Sequence, residues 1–233
     1  MEELKKIEYV TNYAYPINIM RNTARRGSKS AIQIVSDIEN IFSANFSQII
    51  TKHLHQWVHS DQKIAYIFWR FESSEINSLP RTMNQLYSQI HRNTSVFFHR
   101  HVYPQGHLLA NLSMWLTNSL SPLKLSSTLF NYSRYSLEPQ TILRHNDPYH
   151  FEKVPTRLHD QQVLINELCR AGYTFQILTH VFNVHPGIKR KQSLFEDTTQ
   201  KEERKKLSKF KRLFKYYLDN KYPPNKITKC PGF

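Results

Sequence analysis

The feature that most constrains the fold is a short apolar run, residues 31–36, which stops at two acids, Asp37 and Glu39. A run this short and this rich in Ile and Val is typical of a buried strand of the parallel type, whose carboxyl end is where α/β sheets bind ligands. If the chain stays extended through Ile38, both acids project from one face with Cα atoms about 6.6 Å apart. They could then share one Mg²⁺ or Mn²⁺ ion. The alternative, which the pattern alone favours, is a strand end followed by a turn with two solvated acids.

The rest of the chain alternates between helical and strand patterns, which predicts an α/β sheet. Apolar residues at helical spacing predict helices over 16–26, 43–58, 83–90 and 161–171. Runs rich in aromatic and β-branched residues predict strands over 63–72, 95–102, 136–143, 173–178 and 181–185. The strand over 95–102 would place His99 and His101 on the same side. Glu72 closes its strand with an acid, as Asp37 does.

The C-terminal part of the chain is strongly charged and amphipathic. An apolar stripe that includes Leu207, Phe214 and Leu218 predicts a helix over 196–222 with a basic outer face. We therefore expect an α/β domain over 1–195 and a basic helix and tail over 196–233 that packs on it.

The formal net charge of +14 requires an anionic partner. Nucleic acid, an anionic membrane surface, a phosphorylated donor and an acidic polymer all satisfy that requirement. No RNA-recognition, zinc-finger or helix-turn-helix signature accompanies the basic tail, so nucleic acid is not the expected partner.

Two cysteines and four glycosylation triplets bear on the compartment. Cys169 and Cys230 are too few for a disulfide framework or a zinc site, and the sequence leaves open whether they pair. No apolar run is long enough to span a membrane, and the N-terminus lacks the apolar core of a signal peptide. Acceptor triplets of the form Asn-x-Ser/Thr nevertheless predict a protein of the secretory pathway whose anchor is not in this chain; they begin at Asn45, Asn93, Asn111 and Asn131.

Five ordered blocks of the sequence resemble one known family. The first, residues 15–26, reads YPINIMRNTARR, and the second, residues 36–39, reads SDIE. The later blocks are residues 138–140, 167–175 and 182–189. Together they resemble glycosyltransferase family 49, which contains LARGE-type and β-1,4-glucuronyltransferase domains. The resemblance spans about residues 13–222, and nematode members named as N-acetylglucosaminyltransferases look most similar.

The resemblance implies a GT-A fold and an inverting transfer of a sugar from a UDP donor to a glycan acceptor on a glycoprotein, with Mn²⁺ or Mg²⁺. Asp37 and Glu39 match the metal and diphosphate block, in which most members carry Asp at the second position. His185 matches a late histidine that completes the metal shell. Arg21 and Arg25 belong to the first block and are expected to face the donor phosphates. The implied location is the lumenal side of the Golgi membrane.

An inverting transfer also needs a base for the acceptor hydroxyl. Asp160, at the start of a predicted helix, is the candidate, with Asp147 and Glu138 as alternatives; a helix-capping role for Asp160 is the competing explanation.

The family places an anchor and nucleotide-binding βαβ units before the first block, so we expect a GT-A-type mixed sheet that is flanked by helices and lacks part of the N-terminal nucleotide-binding half. The donor sugar is glucuronic acid or N-acetylglucosamine. The alternative function is a non-catalytic or degenerate basic domain that binds acidic glycan or nucleic acid through its tail.

Overall fold

The computed structural model describes residues 15–121, 125–222 and 230–232. The helices are α1 (Ile17–Gly27), α2 (Phe46–Val58), α3 (Met83–His91), α4 (Pro104–His107), α5 (Leu112–Leu120), α6 (Gln162–Arg170), α7 (Leu194–Glu203) and α8 (Leu207–Lys221). The strands are β1 (Ile32–Gln33), β2 (Ile41–Phe42), β3 (Ile64–Ser73), β4 (Ser95–Phe97), β5 (Ser127–Phe130), β6 (Gln140–Arg144) and β7 (Thr174–Pro186). Short 3₁₀ turns occupy Ile76–Ser78 and Arg204–Lys206.

The strands form one mixed sheet in the order β1-β6-β3-β7-β2, with β4 added on β3 and β5 on β7. β3 and β7 run parallel, whereas the other pairs are antiparallel. Helices flank the sheet, as predicted, and this architecture is consistent with a GT-A-like domain.

β3 lies at the centre because its sequence is apolar on both faces. Ile67, Phe68, Trp69 and Phe71 are fully buried, and the ring of Trp69 contacts those of Phe71 and Trp115. Aromatic and β-branched side chains suit such a doubly covered strand. The predicted strand over 63–72 is therefore confirmed.

The prediction for residues 31–39 is wrong in its geometry. Only Ile32 and Gln33 form a strand, and they pair with β6 in the antiparallel direction instead of lying in a parallel strand. Asp37 and Glu39 lie in a turn, in which the backbone N–H of Asn40 donates to the carbonyl of Asp37 (3.1 Å). The Asn40 side chain also donates to the Ser36 hydroxyl (2.8 Å), and such local bonds compete with an extended strand.

Three further predictions differ from the structure. β4 ends at Phe97, and His99 has a left-handed backbone (φ 53°), so His99 and His101 do not share a strand face. The segments 173–178 and 181–185 belong to one strand, β7, whose register against β3 shifts near His180. The helix predicted over 196–222 is two helices, α7 and α8, joined by a 3₁₀ turn.

The C-terminal helix α8 packs on the domain through an apolar and a polar contact. Phe210, Phe214 and Leu218 are buried against Val163 of α6. The side chain of Glu167 is fully buried, and its Oε1 atom accepts hydrogen bonds from Tyr217, Lys221 and Tyr222, which offset part of the cost of burying this charge. Residues 223–229 and 233 of the predicted tail lie outside the described residues, and the boundary at 195 stays a prediction.

The two cysteines form a disulfide bond, Cys169–Cys230, which ties the end of α6 to the tail. Asn166 supports the same connection by donating to the carbonyl of Pro231 (3.1 Å). Disulfides persist in oxidising compartments, so this bond is consistent with an enzyme of the secretory pathway. Within the described ranges, none of the helices is long and apolar enough to cross a membrane.

We expect reduction of Cys169–Cys230 to lower the free energy of unfolding by about 2–4 kcal/mol, because the open chain gains conformational freedom in the unfolded state. Urea unfolding with and without dithiothreitol measures the change. The Cys169→Ala/Cys230→Ala variant is the control and should not respond to the reductant. A wild-type midpoint that the reductant leaves unchanged would contradict the bond's role.

Candidate functional site

The candidate site lies at the carboxyl ends of β3 and β7. Because these strands are parallel, their last residues reach the same edge of the sheet, and Glu72 stands opposite His185 in the register. The turn that carries Asp37 and Glu39 joins this edge through β2, in which Ile41 pairs with Val184 and Phe42 with Asn183. β2 begins two residues after Glu39, and this pairing therefore sets Glu39 beside His185.

Glu39 and His185 are 146 residues apart in sequence, and the Glu39 Oε1 atom lies 3.2 Å from the His185 Nε2 atom. Both side chains remain partly open to solvent. The rings of His185 and Phe98 are in edge-to-face contact, with their centres 5.9 Å apart. The structure thus brings together two of the three residues predicted to bind metal.

The third, Asp37, pairs with an arginine that the sequence analysis missed. Arg70 Nη2 donates to Asp37 Oδ2 (2.8 Å), and the guanidinium lies 3.8 Å from the centre of the Phe98 ring. Burial lowers the pKa of Arg70, and the Asp37 carboxylate opposes that shift. A lone cation inside the apolar run 64–73 was the signal in the sequence that could have identified it.

A second layer of titratable groups lies behind these pairs. The buried Glu72 accepts a hydrogen bond from the Lys189 backbone (3.2 Å), and the His99 Nε2 atom is 4.0 Å from it. Burial raises the pKa of Glu72 and lowers the pKa of His99 to about 3. His99 is therefore neutral at physiological pH and adds no positive charge to the site.

Glu138 is the most strongly perturbed carboxyl of this region. Its side chain is 14 % exposed, and its Oε1 atom lies 3.4 Å from the Nε2 atom of His107. Burial raises the pKa of Glu138 to about 8, and the Asp160 carboxylate adds to that increase, whereas Arg70 and Arg21 oppose it. These mutual influences place Glu138, Asp160, Arg70 and Arg21 in one electrostatic neighbourhood, in which Glu138 is protonated at neutral pH.

Asp160 and Arg21, two more of the predicted site residues, form an ion pair of 2.9 Å. Arg21 also donates to the side chain of Asn18 (2.9 Å), which fixes its direction on α1. The N-cap residue of α6 is Gln161, and no side chain caps that helix. The capping explanation for Asp160 is therefore wrong, and its carboxylate is directed to Arg21 instead.

Arg25 and Asp147 have structural contacts. The Arg25 side chain is fully buried, and it donates to the carbonyls of Pro148 (2.6 Å), Arg144 (3.1 Å) and Asp147 (3.1 Å). The Asp147 carboxylate pairs with Arg144 and accepts from the Tyr173 hydroxyl (2.7 Å). Arg25 thus stabilises the 144–148 loop, and its guanidinium donates to backbone carbonyls of that loop.

The side-chain atoms around Glu39 are of the kinds that bind a hard divalent cation. Carboxylate oxygens and an imidazole nitrogen are ligands that Mn²⁺ accepts, and Glu39 and His185 already approach each other as two such ligands would. Over the described ranges, His, Cys, Asp and Glu side chains do not gather in groups of three or more that could hold a metal. Asp37 is engaged by Arg70, so the described geometry supplies two ligands together and a third in the same turn.

A mixed α/β sheet that gathers acids, arginines and a histidine at the end of its parallel strand pair defines a site for a charged ligand at the sheet edge. The sequence model of the family described as a glycosyl-transferase for dystroglycan matches residues 1–223. The chain belongs to this family, glycosyltransferase family 49, which confirms the resemblance found in the sequence.

Individual relatives agree with that assignment. Beta-1,4-glucuronyltransferase 1 of Danio rerio is 28 % identical over 226 residues, which are 95 % of this chain and 51 % of the relative. Xylosyl- and glucuronyltransferase LARGE1 of Gallus gallus is 24 % identical over 180 residues, which are 77 % of this chain and 23 % of the relative. LARGE1 of Homo sapiens shows the same identity and coverage. The chain thus spans about half the length of the first relative and less than a quarter of the second and third.

The raised pKa of Glu138 predicts a pH-dependent stability. The folded state keeps this proton up to about pH 8, whereas an unconstrained glutamate releases it near 4.5. Folding therefore takes up a proton between these values, and the free energy of unfolding falls as the pH rises through that window. We expect Glu138→Gln to lose less stability than wild type between pH 5 and pH 8.5, as measured by urea unfolding.

The matched control for this experiment is Glu202→Gln, the same chemical change in α7 at a side chain that is 42 % exposed. It should follow the wild-type pH dependence. Equal slopes for wild type and Glu138→Gln would mean that Glu138 is ionised in the folded protein at neutral pH.

Proposed function

We propose that this chain is an inverting, metal-dependent glycosyltransferase that moves a sugar from a UDP donor to a glycan acceptor on glycoproteins in the Golgi lumen. The observation that carries the proposal is the meeting of Glu39 with His185 at 3.2 Å, beside the Asp37–Arg70 pair, in a chain of family 49. UDP-glucuronic acid is the first donor to test, since the matched relatives are named for glucuronyl transfer. UDP-N-acetylglucosamine is the second.

Mn²⁺ or Mg²⁺ would be held by Asp37, Glu39 and His185. When bound, such an ion offsets the negative charge that develops on the diphosphate of the leaving UDP. Glu39 and His185 contribute one oxygen and one nitrogen ligand from two different elements, and Asp37 contributes a second oxygen from the same turn as Glu39.

Arg70 and Arg21 are the arginines proposed to bind the sugar donor. Arg70 is fixed by Asp37 and by the Phe98 ring, and Arg21 is fixed by Asn18 and Asp160. Both guanidinium groups are therefore oriented before a donor arrives, which reduces the entropy lost on binding. Arg25 acts on the donor only by holding the loop to which it donates.

Asp160 is the proposed base for the acceptor hydroxyl. Asp160 forms an ion pair with Arg21. Its carboxylate can accept the proton as the hydroxyl oxygen attacks the sugar. Glu138 already carries a proton at neutral pH, so it can donate a hydrogen bond but cannot accept that proton. This contrast favours Asp160 over Glu138. Asp147 is the weaker candidate because its side chain is only 2 % exposed, whereas that of Asp160 is 23 % exposed.

The metal ligands can be tested one at a time. We expect Asp37→Asn, Glu39→Gln and His185→Gln each to lower sugar transfer by about 100-fold or more, because each removes a charge or a ligand from the diphosphate end of the site. UDP release from each candidate donor, with and without Mn²⁺, measures the effect. Thermal unfolding of each variant shows whether the fold is kept.

The control is Asp197→Asn, a change at an exposed carboxylate in the first turn of α7, which should keep wild-type activity. Full activity of the three site variants would contradict the proposal. If they still bind acidic glycan, and neutralising Lys209 and Arg212 of α8 abolishes that binding, the chain is a basic binding module instead.

The base assignment makes a separate prediction. We expect Asp160→Asn to lower kcat by roughly 100-fold to 10,000-fold with a small change in the KM for the donor, because general-base catalysis is lost while donor binding remains. Glu152→Gln is the control, since Glu152 pairs with Arg26 on the surface of the same region. A large loss in Glu138→Gln with an active Asp160→Asn would transfer the role of base to Glu138.

A further inference from the structure

The four glycosylation triplets lie at surface positions outside the regular elements. Asn45 and Asn111 are the N-cap residues of α2 and α5, Asn93 lies in the turn after α3, and Asn131 directly follows β5. All four asparagines are exposed. Accessible turns and caps are where a bulky carbohydrate fits without disturbing a folded core.

Hydrogen bonding of the side-chain amide nitrogen, Nδ2, differs between Asn111 and the buried asparagines. Asn18, Asn22, Asn40, Asn166 and Asn183 are buried, and each donates a hydrogen bond from its Nδ2 atom. Among the described residues, the Asn111 side chain is bonded only through its oxygen, which accepts from the Met114 backbone (3.0 Å). N-linked sugars attach to Nδ2, so Asn111 can carry one and still cap α5.

Asn111 and Asn131 flank one apolar groove between α5 and β5, with a volume of about 240 Å³. Its wall includes Met114, which is 60 % exposed, and Leu129, which is 77 % exposed. Among the described strands, β5 pairs only with β7, so its outer edge is open. An open edge beside exposed apolar side chains favours association with other chains unless something covers it.

We propose that Asn111 and Asn131 carry N-linked glycans and that these glycans cover the groove and the outer edge of β5. In the modification, Nδ2 loses a proton and bonds to C1 of an oligosaccharide, while the bond from C1 to a lipid-linked pyrophosphate breaks and its electron pair leaves with the pyrophosphate. A host oligosaccharyltransferase supplies the catalyst. The proposal rests on the secretory location included in the proposed function, and not on sugar transfer by this chain.

The modification is tested by expressing the full chain with a secretion leader in mammalian cells. Peptide N-glycosidase in heavy-oxygen water converts each glycosylated asparagine to a labelled aspartate, which mass spectrometry locates. We expect label at Asn111 and Asn131 and none at Asn118, which lines the same groove without an acceptor triplet. Ser113→Ala and Ser133→Ala should abolish the label, whereas Ser113→Thr and Ser133→Thr, which keep the triplets, should retain it.

Shielding is tested with the double variants. We expect Ser113→Ala/Ser133→Ala to lose most of its monomer peak to aggregates in size-exclusion chromatography, whereas Ser113→Thr/Ser133→Thr stays monomeric. Secreted and cell-associated protein are both analysed, and formation of Cys169–Cys230 identifies molecules that reached the oxidising lumen. Unmodified Asn111 and Asn131 in such disulfide-bonded molecules would overturn the proposal, and equal monomer content of the two double variants would overturn the shielding role.

The outcome is independent of the transferase proposal. A chain that carries both glycans but transfers no sugar supports the modification and contradicts the proposed activity.

Discussion

The site depends on the parallel pairing of β3 with β7. Most residues of these strands are buried, and their register places Glu72 opposite His185 and Ser73 opposite Pro186. Parallel strands bring their carboxyl ends to one edge of a sheet, so residues that are over 100 positions apart in the chain meet there. β2 then adds to β7 and fixes the preceding turn, and this sequence of pairings is why Glu39 reaches His185.

Charges at this edge are balanced in pairs. Asp37 offsets Arg70, and Asp160 offsets Arg21, whereas Glu138 between them avoids the cost of a buried charge by keeping its proton. Phe98 supports several of these groups at once, because its ring contacts Arg70, His107 and His185. Arg70, Arg21 and the two acids that pair with them thus lie in one electrostatic neighbourhood around Glu138, as the proposed donor site requires.

Local patterns in the sequence predicted the elements whose burial is set by their own residues. The apolar strand 64–73 and the helix 83–91 are examples. Helix 17–27 was predicted at the right place but buries a polar face, Asn18, Asn22 and Arg25, while Met20 of its apolar pattern is exposed. The prediction of a strand over 31–36 is wrong because Ser36 and Asn40 bond to each other and close a turn. The sequence also predicts two strands where the structure has only β7, because the irregularity at His180 resembles a loop between strands. The family blocks identified Glu39 and His185 as partners, whereas Arg70 was missed because its partner Asp37 is distant in sequence and only the tertiary fold brings them together.

Electron paramagnetic resonance can show directly whether Glu39 and His185 bind Mn²⁺, because the sharp signal of free Mn²⁺ disappears when the ion is bound. We expect wild-type protein with UDP to remove this signal and Asp197→Asn to do the same, whereas Glu39→Gln and His185→Gln should leave most of it. A signal that wild-type protein and UDP reduce no further than UDP alone would show that the Glu39–His185 pair is not the metal end of a donor site.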